Sequence, residues 1–127
     1  MVSERPRALV VDDDEPIRTM ITRVLARDGY DVESARDGKE AIEKLEADAY
    51  DFVILDLMMP RVDGFGVLRY LKKHRPERLS SVILATAMYA DNIAAEPVAA
   101  VLTKPFDVGD LRVIAGRFRN GSGEATA

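Results

Sequence analysis

The chain has 127 residues, enough for about one domain with a core that needs no covalent staples. Hydrophobic residues at 47% and charged residues at 31% exclude wholesale disorder, and the absence of cysteine together with a single histidine excludes disulfides, thiolate metal sites, thiol nucleophiles and any site that needs two histidines. The 18 basic and 22 acidic residues give a net charge of -4, which argues against nucleic acid as a direct partner; no apolar run is long enough to cross a bilayer, and the polar stretch Met1 to Arg7 leads into no secretory signal, so a cytoplasmic address without membrane contact is expected.

Ala8-Leu9-Val10-Val11 is an unbroken apolar run, the pattern of a strand buried on both faces. Glu15 to Asp28 reads as a helix. Pro16 suits its first turn, Ile17, Met20, Ile21, Val24 and Leu25 recur at helical spacing, and Gly29 terminates it. Tyr30 to Ala35 reads as a second strand. Asp37 can cap a helix running to about Ala47, with Ala41, Ile42 and Leu45 facing inward. Phe52-Val53-Ile54-Leu55 is the third strand, Gly64 to His74 a helix with Phe65, Leu68 and Leu71 on one face, and Val82-Ile83-Leu84-Ala85 the fourth strand. A short helix is expected around Asn92 to Ala95, then a fifth strand over Ala99 to Thr103. Asp107 can cap a last helix through Leu111, Ile114 and Phe118. Residues 1–120 are thus expected to form one domain, and residues 121–127, rich in small residues, a flexible tail.

Buried strands alternating with helices imply an α/β fold, a doubly wound parallel sheet of five strands with helices on both faces. Ligands of such sheets sit outside the carboxyl ends of the strands. Strand one ends in Asp12-Asp13-Asp14, strand three in Asp56, strand four in Thr86 and strand five in Lys104-Pro105. Carboxylates gathered at one rim repel one another, and a bound cation removes that conflict. A ligand set of oxygens alone favours Mg²⁺. Lys104 adds a positive charge and Thr86 a hydroxyl donor, which together make a cradle for a dianionic phosphoryl group.

Four stretches carry a family pattern: Val10-Val11-Asp12-Asp13-Asp14, Asp56-Leu57-Met58-Met59-Pro60-Arg61-Val62-Asp63-Gly64, Ala85-Thr86-Ala87 and Lys104-Pro105-Phe106. In this order, each closing an apolar strand, they resemble the receiver domain of bacterial two-component response regulators over nearly the whole chain. The resemblance implies a flavodoxin-like sheet of order 2-1-3-4-5. It implies Asp56 as phosphoacceptor, with Asp13, Asp56 and the Met58 backbone carbonyl as direct Mg²⁺ ligands and Asp12 acting partly through water. Lys104 would pair with the carboxylate or the phosphoryl group, Thr86 would bond a phosphoryl oxygen, and the Lys104-Pro105 bond would be cis. The phosphodonor would be a histidine kinase or a histidine phosphotransfer protein. The domain would catalyse only its own phosphorylation and dephosphorylation, and would act as a stand-alone regulator that switches binding to a downstream protein.

The sequence departs from the family's pattern at Val101, where an aromatic residue is usual, and between Thr86 and Lys104, where it is shorter by about one helical turn. The fourth helix of the family is therefore expected to be short or irregular. Two other readings stand beside the first: a pseudo-receiver that binds partners without phosphorylation, and a phosphohydrolase built on Asp12-x-Asp14, which would leave Asp56 without a clear purpose.

Overall fold

The structure is a computed structural model that describes residues 5–59, 62–87 and 97–118. The elements along them are β1 (Arg7–Val11), α1 (Glu15–Arg27), β2 (Asp31–Ala35), α2 (Gly38–Ala47), β3 (Phe52–Asp56), α3 (Gly64–His74), a 3-10 turn (Pro76–Ser81), β4 (Val82–Thr86), β5 (Ala100–Thr103), α4 (Val108–Ala115) and a closing 3-10 turn (Gly116–Phe118). The helix expected around Asn92 to Ala95 and the tail 121–127 lie outside the described residues.

All strand pairs are parallel, and the order is β2-β1-β3-β4-β5. Successive side chains of a strand point to opposite faces, so each apolar run feeds two cores. Leu9, Val11, Val53, Leu55, Val82 and Leu84 pack with Ala41 and Leu45 of α2 and Val67, Leu68 and Leu71 of α3. Ala8, Val10, Phe52, Ile54, Ile83, Ala85 and Leu102 pack with Ile21 and Leu25 of α1 and Leu111 and Ala115 of α4. β3 and β4 are buried along their whole length, which is why they are the most continuously apolar segments of the chain. β2 lies at the sheet edge and is only partly buried, so Asp31, Glu33 and Ser34 are tolerated in it.

Caps set the helix boundaries. Asp14, Asp37, Asp63 and Asp107 each accept a backbone N–H three residues on, from Ile17, Glu40, Gly66 and Asp110. Gly29 adopts φ 100° after α1. There its N–H donates to the Ala26 carbonyl, and that of Tyr30 to the Leu25 carbonyl, which closes the helix as the sequence implied. The last helix is shorter than the spacing of Leu111, Ile114 and Phe118 implied. α4 ends at Ala115, and the chain tightens into a 3-10 turn that still buries Phe118, stacked on Phe52 with ring centroids 5.1 Å apart.

Candidate functional site

Strand parity builds the site. Continuing Ala8-Val10 reaches Asp12, continuing Phe52-Ile54 reaches Asp56, and continuing past Leu102 reaches Lys104, so all three belong to the α1/α4 side of the sheet at its carboxyl edge. Lys104 Nζ lies 3.2 Å from Asp12 Oδ2 and 3.5 Å from Asp56 Oδ2. Asp12 and Asp56 are buried, at 1% and 4% exposure, whereas Asp13 is exposed at the rim. One carboxylate oxygen from each of Asp12, Asp13 and Asp56 lies within 4.8 Å of the others. Three carboxylate oxygens gathered this closely, with no nitrogen or sulfur among them, suit a hard cation such as Mg²⁺, and the exposed Asp13 is the member freest to draw in toward it.

The loops after the strands are tied down locally. Asp12 N–H donates to the Ala35 carbonyl at 3.1 Å, and Asp12 Oδ1 accepts the Asp14 N–H at 2.9 Å. Asp56 Oδ1 accepts the Met58 N–H at 3.1 Å, which turns the chain sharply after β3 and leaves the Met58 side chain 60% exposed beside the pocket. Gly64 packs against this turn: its N–H donates to the Leu57 carbonyl at 3.2 Å, and a Cβ there would collide with the main chain of Asp56 and Leu57.

Three carboxylates face one ammonium group. Burial lifts the Asp56 carboxyl to about 6; the Met58 N–H opposes that rise, Asp12 adds to it, and Lys104 opposes it. Burial disfavours the charged form of Lys104 as well, but the charges of Asp12 and Asp56 outweigh it and hold the ammonium above its ordinary value. The Asp56 carboxyl is therefore harder to ionise than a free one, and a further cation in the pocket would favour its charged form.

Thr86 ends β4 and is fully buried. It shares the parity of Val82 and Leu84, the α2/α3 face, so it approaches the rim from the side opposite Asp56. Its carbonyl accepts the Lys104 N–H at 2.9 Å, and the Lys104-Pro105 bond is cis. Val101 is exposed on β5. Asp14 and Asp63 serve as helix caps. The sequence reading passed over Arg18, whose guanidinium donates to the Asp12 carbonyl at 2.8 Å; its place one turn into a helix that begins beside the acidic loop was the available signal. It also passed over a network at the opposite end of the sheet. There Arg7 meets Glu33 at 2.8 Å and Asp48 at 3.3 Å, and the Tyr50 hydroxyl donates to Glu33 at 2.7 Å.

Residues 8–115 match the profile of the response regulator receiver domain. The response regulator MprA of Mycolicibacterium vanbaalenii is 39% identical over 107 residues, which are 83% of this chain and 46% of that protein. MprA of Mycobacterium tuberculosis (strain ATCC 25177 / H37Ra) is 38% identical over the same shares. The chain spans about half the length of these curated relatives. Among solved structures, TrrA of Thermotoga maritima, in complex with Mg(2+)-BeF, is 31% identical with a TM-score of 0.79, covering 88% of this chain and 97% of that one. The chemotaxis response regulator CheY4 of Vibrio cholerae is 28% identical with a TM-score of 0.82, covering 90% and 98%. Fold and pocket together define a signalling module of the two-component type. The chain belongs to the response regulator receiver domain family. Among the described residues, no helix is long and apolar enough to cross a membrane.

Proposed function

We propose that this domain accepts a phosphoryl group on Asp56 from the phosphohistidine of a histidine kinase or histidine phosphotransfer protein, in a Mg²⁺-dependent reaction, and that the added charge alters its binding to a partner protein. The observation that carries this reading is the convergence of Asp12, Asp13, Asp56 and Lys104 in one pocket at the carboxyl edge of the sheet. Asp12, Asp13, Asp56 and the Met58 carbonyl would hold the ion. When bound, Mg²⁺ supplies positive charge against the phosphoryl oxygens in the transition state.

An ionised oxygen of Asp56 attacks the phosphorus of the phosphohistidine. The O–P bond forms as the P–N bond breaks, and the imidazole leaves with the electron pair. Lys104, fixed between Asp12 and Asp56, meets the charge that develops on the phosphoryl oxygens. The Thr86 hydroxyl is the candidate donor to one of those oxygens. The Met58 N–H on Asp56 Oδ1 leaves the carboxylate restrained before the donor arrives. Later attack of water on phosphorus breaks the acyl phosphate, releases inorganic phosphate and restores the carboxylate. While it lasts, the phosphoryl group brings about -1.5 to -2 charges to the pocket mouth, enough to bias a two-state surface.

The test is intact-mass analysis after incubation with a small acyl phosphate. Wild type with Mg²⁺ gains the mass of one PO₃ group; wild type in chelator and Asp56→Asn do not. Equal labelling of Asp56→Asn and wild type overturns the assignment.

A further inference from the structure

Arg18 lies in the second turn of α1 and is half-buried. Its own N–H donates to the Asp14 carbonyl at 2.9 Å, which fixes it in the helix. From there the side chain turns back toward β1 and its Nη1 donates to the Asp12 carbonyl at 2.8 Å. That carbonyl belongs to the peptide group whose nitrogen is Asp13's. The Asp12 side chain is already held by Lys104 and the Asp14 N–H, and the Asp12 N–H by Ala35. Rotation of the Asp12–Asp13 peptide would swing the Asp13 carboxylate out of line with Asp12 and Asp56, and Arg18 opposes it with a charge-assisted hydrogen bond.

We infer that Arg18 is a positioning residue: by clamping the Asp12–Asp13 peptide it aims the Asp13 carboxylate at the divalent cation shared with Asp12 and Asp56. The inference rests on the reading of this pocket as a Mg²⁺ site, and it makes a prediction opposite in sign to simple electrostatics. A guanidinium near three carboxylates repels an incoming cation, so loss of its charge alone would strengthen Mg²⁺ binding. Loss of the clamp weakens binding, because groups that orient metal ligands from outside the coordination shell matter nearly as much as the ligands.

Calorimetric titration of the chain with Mg²⁺, run well below each protein's unfolding midpoint, separates the two. Arg18→Met keeps the apolar stem and removes charge and donors; Arg23→Met removes the same charge from an exposed position of the same helix. Arg18→Met is expected to raise the Kd for Mg²⁺ about tenfold, while Arg23→Met leaves it unchanged or lowers it slightly. Should Arg18→Met fail to fold, Arg18→Gln is read by the same criterion. Binding by the Arg18 variant as tight as wild type, or tighter, overturns the positioning role and leaves the metal site standing. Equal weakening by the Arg23 variant overturns it as well. If wild type itself takes up no Mg²⁺, the metal-site reading fails and this inference falls with it.

Discussion

Lys104 Nζ stands 3.5 Å from Asp56 Oδ2 although their strands, β5 and β3, are separated by β4. Two strand spacings are about 9.6 Å, more than a short side chain can bridge. Ala85, whose register partners are Asp56 and Leu102, presents only a methyl group on the side of the sheet that the lysine crosses. The long lysine stem and the small intervening residue thus act together to bring one ammonium over two buried carboxylates.

Replacing this lysine tests what it contributes. Lys104 is among the groups that restrain the rise of the Asp56 carboxyl, so in Lys104→Met that carboxyl is expected to titrate at still higher pH. Carbon-detected NMR of the Asp56 side chain in chelator reads this directly. With Mg²⁺ and a small acyl phosphate, the same variant is expected to be phosphorylated about 100-fold more slowly, the usual effect of losing one preorganised charge at a developing anion. An unchanged rate would remove Lys104 from the reaction.

The pH dependence of stability carries a definite sign. Asp56 ionises near its ordinary 3.8 in the unfolded chain and at about 6 in the folded one. Between these values the native state holds a proton that the unfolded state has released. Metal-free stability attributable to this group therefore falls as pH rises from about 4 to about 6, by on the order of 3 kcal/mol at most. Asp56→Asn removes the penalty and is expected to be more stable than wild type at neutral pH in chelator, with the difference vanishing toward pH 4. A Mg²⁺ ion held by these carboxylates would favour the ionised form, so on the proposed reading it is expected to stabilise wild type strongly at pH 7.5 and little at pH 5. Urea unfolding at a series of pH values, with and without the ion, checks both statements.

Gly64 couples the start of α3 to the turn that follows Asp56. Gly64→Ala forces a Cβ against the main chain of Asp56 and Leu57, neither of which can yield as a flexible side chain would. The expected cost is about 1–3 kcal/mol in unfolding free energy. A weaker Mg²⁺ affinity should accompany it, because the displaced atoms belong to the residue that bears the carboxylate. A variant equal to wild type in both measurements would show that the turn does not constrain the site.

Much of this was legible in the sequence because the strands that carry the site are buried. Val10-Val11, Phe52 to Leu55 and Val82 to Ala85 are apolar on both faces, so their ends could be read to within a residue, and the polar residues that follow mark the rim. Alternation along those runs also implies that Asp12, Asp56 and Lys104 share one side of the sheet. The less legible parts depend on features that the spacing of apolar residues does not encode. Arg7 belongs to β1 although it is charged, because its N–H donates to Asp51 at 2.7 Å and its side chain is held by Glu33 and Asp48. The 3-10 turn from Pro76 to Ser81 buries only Leu79 and so has no periodic signature. Arg18 looks like one more polar position on an amphipathic helix until the fold brings the Asp12 carbonyl within its reach.

The most direct test of the whole account is to locate the modified atom. After brief exposure to a phosphohistidine donor and Mg²⁺, borohydride reduction converts an aspartyl phosphate to homoserine, which peptide sequencing by mass spectrometry then maps. The account predicts homoserine at position 56 alone. Homoserine at position 12 or 13, or a phosphoryl group carried on a hydroxyl or on His74, would contradict it.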